Sequence, residues 1–184
     1  MTSARLWIIS GPSAVGKGTV CARLRALHDE PFYSVSVTTR APRPGEVEGE
    51  SYHFCTREEF ERMIRDGELL EWARVHGDNY YGTPRRPVEE AIAAGRHVIL
   101  EIDLQGARQV KAAMPDAQLV FLLPPTWEEL VSRLVGRGTE TDEQRRRRLE
   151  TAKEELASVG EADHTVVNVS VEDTVEALVG LLGL

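Results

Sequence analysis

A chain of 184 residues, 41% of them hydrophobic, carries enough apolar side chain for the core of one domain, which excludes a disordered polypeptide. Its formal net charge of −8 argues against general affinity for DNA or RNA, so any phosphate it binds must be met by local clusters of Arg and Lys. Apolar runs far shorter than a membrane span, no secretory pattern after Met1–Arg5, and two distant cysteines, Cys21 and Cys55, lead us to expect a cytoplasmic protein with no membrane or nucleic-acid partner.

Leu6–Ser10 is a short apolar run ending at a glycine-rich turn, and Lys17–Leu27 then has helical character: strand, loop, helix. From about Val37 to Thr83 the texture changes. Short aromatic-rich strand candidates (Tyr52–Phe54, Leu69–Val75, Asn79–Gly82), a helix over Arg57–Asp66 and a Pro/Gly turn over Ala41–Gly49 together predict an inserted α+β lobe. Helical patterns follow at Pro84–Ala94, Leu104–Met114, Thr126–Val135, Glu140–Val159 and Val171–Leu182. They alternate with apolar runs at His97–Asp103, Ala117–Leu123 and His164–Val169. Continuous apolar strands suit a parallel sheet covered on both faces, and the alternation predicts an α/β domain. Pro84 suits a first helical turn, and Thr126 with Glu129 has the spacing of a capping box. The stretch Arg133–Arg148 is dense in arginine and predicts an exposed helical flap.

The loop Gly11-Pro12-Ser13-Ala14-Val15-Gly16-Lys17-Gly18-Thr19 places two glycines and a lysine where a buried strand gives way to a helix. Glycine lets the backbone curl with its N–H groups turned inward toward phosphate oxygens, the helix N-terminus adds partial positive charge, and Lys17 adds a full one. The hydroxyl that commonly follows the lysine directly is displaced by one position, from Gly18 to Thr19, which makes Thr19 the nearest candidate contact for a Mg²⁺ ion carried with ATP. Ala14 stands at a position that is often glycine. Glu101 and Asp103, at the carboxyl end of an apolar strand, lie on one side of it by alternation and can hold a metal-bound water or orient substrate; Asp103 could equally cap the following helix.

The segments GPSAVGKGT (11–19), SVSVTTRAPRPGE (34–46), SYHF (51–54), ELLEWARVHGDNYYGT (68–83), ILEIDLQG (99–106), GRGTETDE (136–143) and VVN (166–168) follow in order with short spacers. In these segments the whole chain resembles the guanylate kinases. That resemblance implies a P-loop kinase core with a five-stranded parallel sheet flanked by helices (1–36, 84–125 and 158–184), a GMP-binding lobe over 37–83 and a lid over 126–157. It implies transfer of the γ-phosphoryl of ATP to GMP, with Mg²⁺, in purine nucleotide metabolism. A monomer or a homodimer is compatible with it.

Chemistry and resemblance agree on the acceptor base. Guanine offers two adjacent donors, N1–H and the 2-amino group, which a carboxylate pairs best, and an acceptor at O6, which hydroxyls suit. Glu71 is the carboxylate, and Ser36 and Thr83 are the hydroxyls. The resemblance further implies that Arg40, Arg43, Tyr52 and Tyr81 hold the GMP phosphate, with Asp103 and Glu101 completing the guanosine side. Forked, charge-assisted hydrogen bonds make arginine apt for phosphate. On the ATP side the resemblance implies Arg133 and Arg137, with Asn168 near the adenine. Lys17, Arg40, Arg137 and Arg148 would be the catalytic cations. Arg145, Arg146 and Arg147 are expected to be solvated beside Asp142, Glu143 and Glu150, Trp72 to be packing, and His53, His76 and His97 to be strand or surface residues. Two other readings are a guanylate-kinase-like module that binds phosphopeptides without catalysis, and a P-loop kinase with a phosphosugar acceptor.

Overall fold

The computed structural model describes residues 5–75, 78–135 and 141–184. In chain order these form β1 (Leu6–Ser10), α1 (Lys17–Leu27), β2 (Phe32–Tyr33), β3 (Val37–Thr38), β4 (His53–Phe54), α2 (Arg57–Arg65), β5 (Leu69–Val75), β6 (Asn79–Pro84) and α3 (Arg85–Ala93). Then come β7 (Val98–Glu101), α4 (Leu104–Ala113), β8 (Gln118–Leu123), α5 (Trp127–Val135), α6 (Asp142–Ala157), a 3-10 turn over Val159–Glu161, β9 (His164–Val167) and α7 (Val171–Leu182). The five-stranded sheet has the order β2-β7-β1-β8-β9, with β2–β7, β1–β8 and β8–β9 paired in parallel, and a separate four-stranded sheet has the order β4-β3-β6-β5. The expected α/β class holds. The strand β2 has only two residues and no alternating pattern, so periodicity could not announce it. The strand expected to run to Asp103 ends at Glu101.

The chain divides into two compact units, one made of Met1–Leu6, Glu30–Leu100 and Gln105–Ala117, the other of Trp7–Asp29, Glu101–Leu104 and Gln118–Leu184. In the second unit β1 is buried along its whole length and β8 along its middle, as their unbroken apolar sequences require. Helix α1 turns Val20, Cys21 and Leu24 inward, while α7 buries Val175, Leu178 and Leu182. Ser170 caps α7 by accepting the Asp173 N–H at 3.1 Å, and Gly183 ends it in a left-handed conformation. Thr126 accepts the Glu129 N–H at 3.1 Å as a cap should, but the Glu129 carboxylate pairs with Arg133 one turn on.

In the first unit the four-stranded sheet packs one face on Phe60 of α2, with Val37 and Leu69. A reciprocal capping box between Thr56 and Glu59 starts α2. Gly82 is required on this face: a Cβ there would stand 2.9 Å from the Glu71 carbonyl and 3.1 Å from the Phe60 ring. Phe60 stacks on Tyr80. Strand alternation therefore sends Tyr81 and Thr83 to the opposite face. The free edge of β5 is closed by a side chain: Gln109 of α4 accepts the Trp72 N–H at 3.2 Å and donates to the Trp72 carbonyl at 2.7 Å. The Trp72 ring packs against Tyr80 of the paired strand, centroids 5.9 Å apart, as expected of a packing residue, and leaves 38% of the residue exposed.

Candidate active site

Two sets of chemistry-bearing residues come out of this fold, one in each unit. In the second unit the loop between β1 and α1 has three residues in left-handed or related conformations, Gly11 (φ 148°), Ala14 (φ 66°) and Gly16 (φ 102°). A Cβ on Gly11 would lie 2.6 Å from the Leu122 carbonyl, and one on Gly16 2.7 Å from the Asn168 amide nitrogen. The glycines are thus demanded by both conformation and space. Ala14 adopts the left-handed region with a Cβ in place, which explains why glycine is the easier residue there.

Lys17 lies back along the loop, donating to the Gly11 carbonyl at 2.6 Å and the Pro12 carbonyl at 3.4 Å. Burial lowers its ammonium below the ordinary lysine value, while the carboxylates of Glu155, Glu101 and Asp103 pull the other way. Glu101 and Asp103 thus both act on the Lys17 ammonium, although Asp103 lies past the strand end. Burial pushes the Glu101 carboxyl up, while Lys17 and the Cys21 hydrogen bond oppose this. The buried Cys21 thiol, hydrogen-bonded to Glu101, is pushed well up by burial. Gly18 and Thr19 are exposed at the head of α1.

Other elements brace the loop from outside. The Val15 carbonyl receives the Asn168 amide at 2.7 Å and the Arg133 guanidinium at 3.2 Å. Asn168 is 4% exposed, and its amide oxygen accepts the Thr174 hydroxyl at 2.8 Å, so both ends of the amide are engaged in holding the loop. The Ser13 N–H donates to the Glu155 carboxylate at 3.1 Å. Sequence reading missed Glu155, which is one acid among many in a highly charged helix. Arg148 lies seven positions before it on α6, two turns away and on the same side of the helix. Arg147 is exposed and pairs with Glu143. Arg145 pairs with Asp142 as expected, its side chain 38% exposed, although its Nε is buried with no hydrogen-bond partner among the described residues. Arg137 and His76 lie outside the described residues.

In the first unit the register does the assembling. Glu71 pairs with Thr83 across β5 and β6, and Thr38 pairs with Tyr81 across β3 and β6. Glu71 is 5% exposed and Thr83 1%, and the Thr83 hydroxyl donates to the Glu71 carboxylate at 2.7 Å. A bulge between Leu69 and Glu71 sets this pairing, a feature with no sequence signature of its own. Ser36 lies one residue before β3, on the same face as Thr38 by alternation.

At the end of β3 Arg40 is half-buried. Its Nε donates to the Tyr81 hydroxyl at 3.1 Å, and its guanidinium stands over the Tyr52 ring at 5.3 Å from the centroid. Tyr52 and Tyr81 meet edge to face. The expected phosphate residues Arg40, Tyr52 and Tyr81 are therefore one cluster, with the exposed Arg43 at its rim. The Glu46 carboxylate holds Arg40 by two bonds of 3.0 and 2.7 Å, raising the guanidinium further above its already high range. Of the histidines, His97 accepts the Arg5 N–H at 3.2 Å and His53 faces Glu48 at 3.3 Å. Among the described residues no group of His, Cys, Asp or Glu could hold a metal by itself, and no helix is long and apolar enough to cross a membrane.

The parallel sheet and the glycine loop capped by a helix define a P-loop kinase. The family model described as guanylate kinase matches residues 3–183. The guanylate kinase of Leifsonia xyli is 59% identical over 177 residues, which is 96% of this chain and 70% of that protein. That of Corynebacterium jeikeium is 54% identical over 99% of this chain and 97% of its own. The crystal structure of guanylate kinase from Anaplasma phagocytophilum superposes with a TM-score of 0.81 at 34% identity, covering 100% of this chain and 86% of that one. A shikimate kinase from Bacteroides thetaiotaomicron shares the fold alone, at a TM-score of 0.51 and 14% identity. The chain belongs to the guanylate kinase family and is an enzyme of that class.

Proposed function

We propose that this chain transfers the γ-phosphoryl of ATP to GMP, releasing ADP and GDP, as a cytoplasmic enzyme of purine nucleotide metabolism. The observation that carries the choice of acceptor is the buried Glu71–Thr83 pair. A carboxylate kept from water is costly unless it is met by donors, and guanine brings two adjacent ones to it. Adenine would bring an acceptor at N1 to the same carboxylate. Sites of this kind discriminate by about 10⁴–10⁵. Ser36 would serve O6, joined by Thr83 once the base's donors replace its hydroxyl on Glu71, and Arg40, Arg43, Tyr52 and Tyr81 the phosphate, with Glu101 and Asp103 toward the guanosine.

On the donor side the amides of residues 11–19 and Lys17 would cradle the ATP phosphates. Arg133, Arg137 and Asn168 would line the ATP end, Asn168 from beneath the loop. The attacking atom is a GMP phosphate oxygen, already largely ionised at neutral pH with a second pKa near ~6, so no general base is needed. The work left is alignment and charge stabilisation, for which Lys17, Arg40, Arg137 and Arg148 are the cations. A Mg²⁺ ion travelling with ATP fits the oxygen-only donors available, the Thr19 hydroxyl and the Glu101 and Asp103 carboxylates, and would neutralise phosphate charge when bound. With no protein cage among the described residues, the phosphates themselves would supply most of its ligands. Excluding water calls for the lobe over 37–83 and the lid over 126–157 to close when both nucleotides are bound.

The test is a coupled assay for ADP with ATP, Mg²⁺ and each of GMP, AMP and UMP. ADP release that depends on GMP, with GDP formed in equal amount, is expected. ADP release indifferent to GMP, or supported equally by AMP, contradicts the proposal.

A further inference from the structure

The segment Arg43-Pro44-Gly45-Glu46 closes on itself. The Glu46 N–H donates to the Arg43 carbonyl at 3.0 Å, and Gly45 has φ of 87°, which a turn with proline second and glycine third demands. This turn throws the Glu46 side chain back onto what precedes it. Its Oε2 accepts both the Arg43 N–H at 2.7 Å and Arg40 Nη1 at 3.0 Å, and its Oε1 accepts Arg40 Nη2 at 2.7 Å. Arg40 holds Glu46 below the ordinary carboxylate range, with the Arg43 N–H adding to the effect. One carboxylate thus ties together the two arginine positions of the acceptor half-site.

The remaining donors of Arg40 show what this arrangement does. A guanidinium has five N–H groups in one plane. Nε is given to the Tyr81 hydroxyl at 3.1 Å, Nη1 to Glu46 and to the Ala41 carbonyl at 2.7 Å, and one Nη2 hydrogen to Glu46. Because Glu46 takes the edge between Nη1 and Nη2, the hydrogen left on Nη2 points along the Nε edge, the edge on which Tyr81 sits. The Tyr81 hydroxyl accepts from Nε and keeps its own O–H to donate. One charged N–H and one phenolic O–H are therefore presented side by side, in a fixed plane, to a single oxyanion.

We infer that Glu46 is a positioning residue for the acceptor phosphate: it locks Arg40 so that its last Nη2–H and the Tyr81 hydroxyl grip the phosphate together. This rests on the reading of Arg40 as a GMP-phosphate ligand. Glu46 also offsets the charge of Arg40, which by itself would weaken anion binding. Against that offset, loss of the lock frees a long side chain that must then be ordered by each incoming substrate, and the KM for GMP reads which of the two prevails.

The experiment is steady-state kinetics at saturating ATP for the full chain and for Glu46→Gln, Arg40→Met and the double variant, with guanosine as competitive inhibitor. For Glu46→Gln the KM for GMP should rise about tenfold, the scale of ordering one rotamer-rich side chain, with kcat changed less than about threefold. Guanosine, which has no phosphate, should inhibit as before. In the Arg40→Met background, Glu46→Gln should add nothing further. An unchanged or lower KM for GMP in Glu46→Gln, or an equal loss of guanosine affinity, overturns the inference. If Arg40→Met leaves the KM for GMP unchanged, the acceptor-phosphate reading fails and takes the inference with it. Sensitivity to Arg40→Met without sensitivity to Glu46→Gln overturns the inference alone.

Discussion

The phosphate loop and the four-stranded sheet each gather charged and polar groups, but from different parts of the chain. In the loop the working surface is backbone: Gly11 and Gly16 hold conformations and approaches closed to other residues, and Asn168 and Arg133 pin the Val15 carbonyl from outside. In the sheet the backbone is regular apart from a bulge after Leu69, and side chains gain their places through cross-strand register, Glu71 against Thr83 and Thr38 against Tyr81. A backbone-built site tolerates little change of any kind. A register-built site should lose function in steps, one contact at a time.

The largest expected effect is in the loop. Lys17→Met removes the one full charge that the loop itself supplies and should lower kcat by about 10²–10³-fold, the scale for losing a single preorganised donor to transition-state charge. A loss below tenfold would mean that other cations do that work. In the sheet, Tyr81→Phe deletes the acceptor for Arg40 Nε and one proposed phosphate donor while the ring and its edge contact with Tyr52 remain. The KM for GMP should rise about tenfold, the value of one hydrogen bond to a charged group, with the KM for ATP unmoved. A change confined to ATP would erase the distinction between the two half-sites. The smallest effect returns to the loop. Ala14→Gly relieves a left-handed alanine worth roughly 1–2 kcal/mol, while the freer unfolded chain gives back about 0.4–1 kcal/mol. Thermal unfolding should show stability equal or slightly raised, and a marked loss would mean that the Ala14 methyl is held by packing.

This same contrast explains what could be read in advance. The loop announced itself because glycine is the only economical residue at φ of 148° or 102°, so conformation is written as letters. Both ends of β1, α1, β5 and α7 followed from apolar runs and periodicity. The chemistry of Glu71 was legible as a carboxylate among alternating strand residues, but not its pairing with Thr83, which depends on a bulge after Leu69. The strand β2 escaped because two residues carry no period. Glu155, Gln109 and Glu46 escaped for another reason. Each acts on a backbone group or an arginine placed by a turn or packing, and nothing distinguishes it from the solvated Glu and Gln around it. Asn168, expected near the adenine, spends its amide on Val15 and Thr174.

The most direct test of the account is acceptor selectivity, kcat/KM for GMP over AMP, measured for the unaltered chain and for Glu71→Ala after circular dichroism confirms the fold. The account predicts a strong preference for GMP that falls by about 10²-fold or more in the variant, within the range open to a site built around hydrogen-bond donors. An unchanged GMP-to-AMP ratio in Glu71→Ala would contradict it.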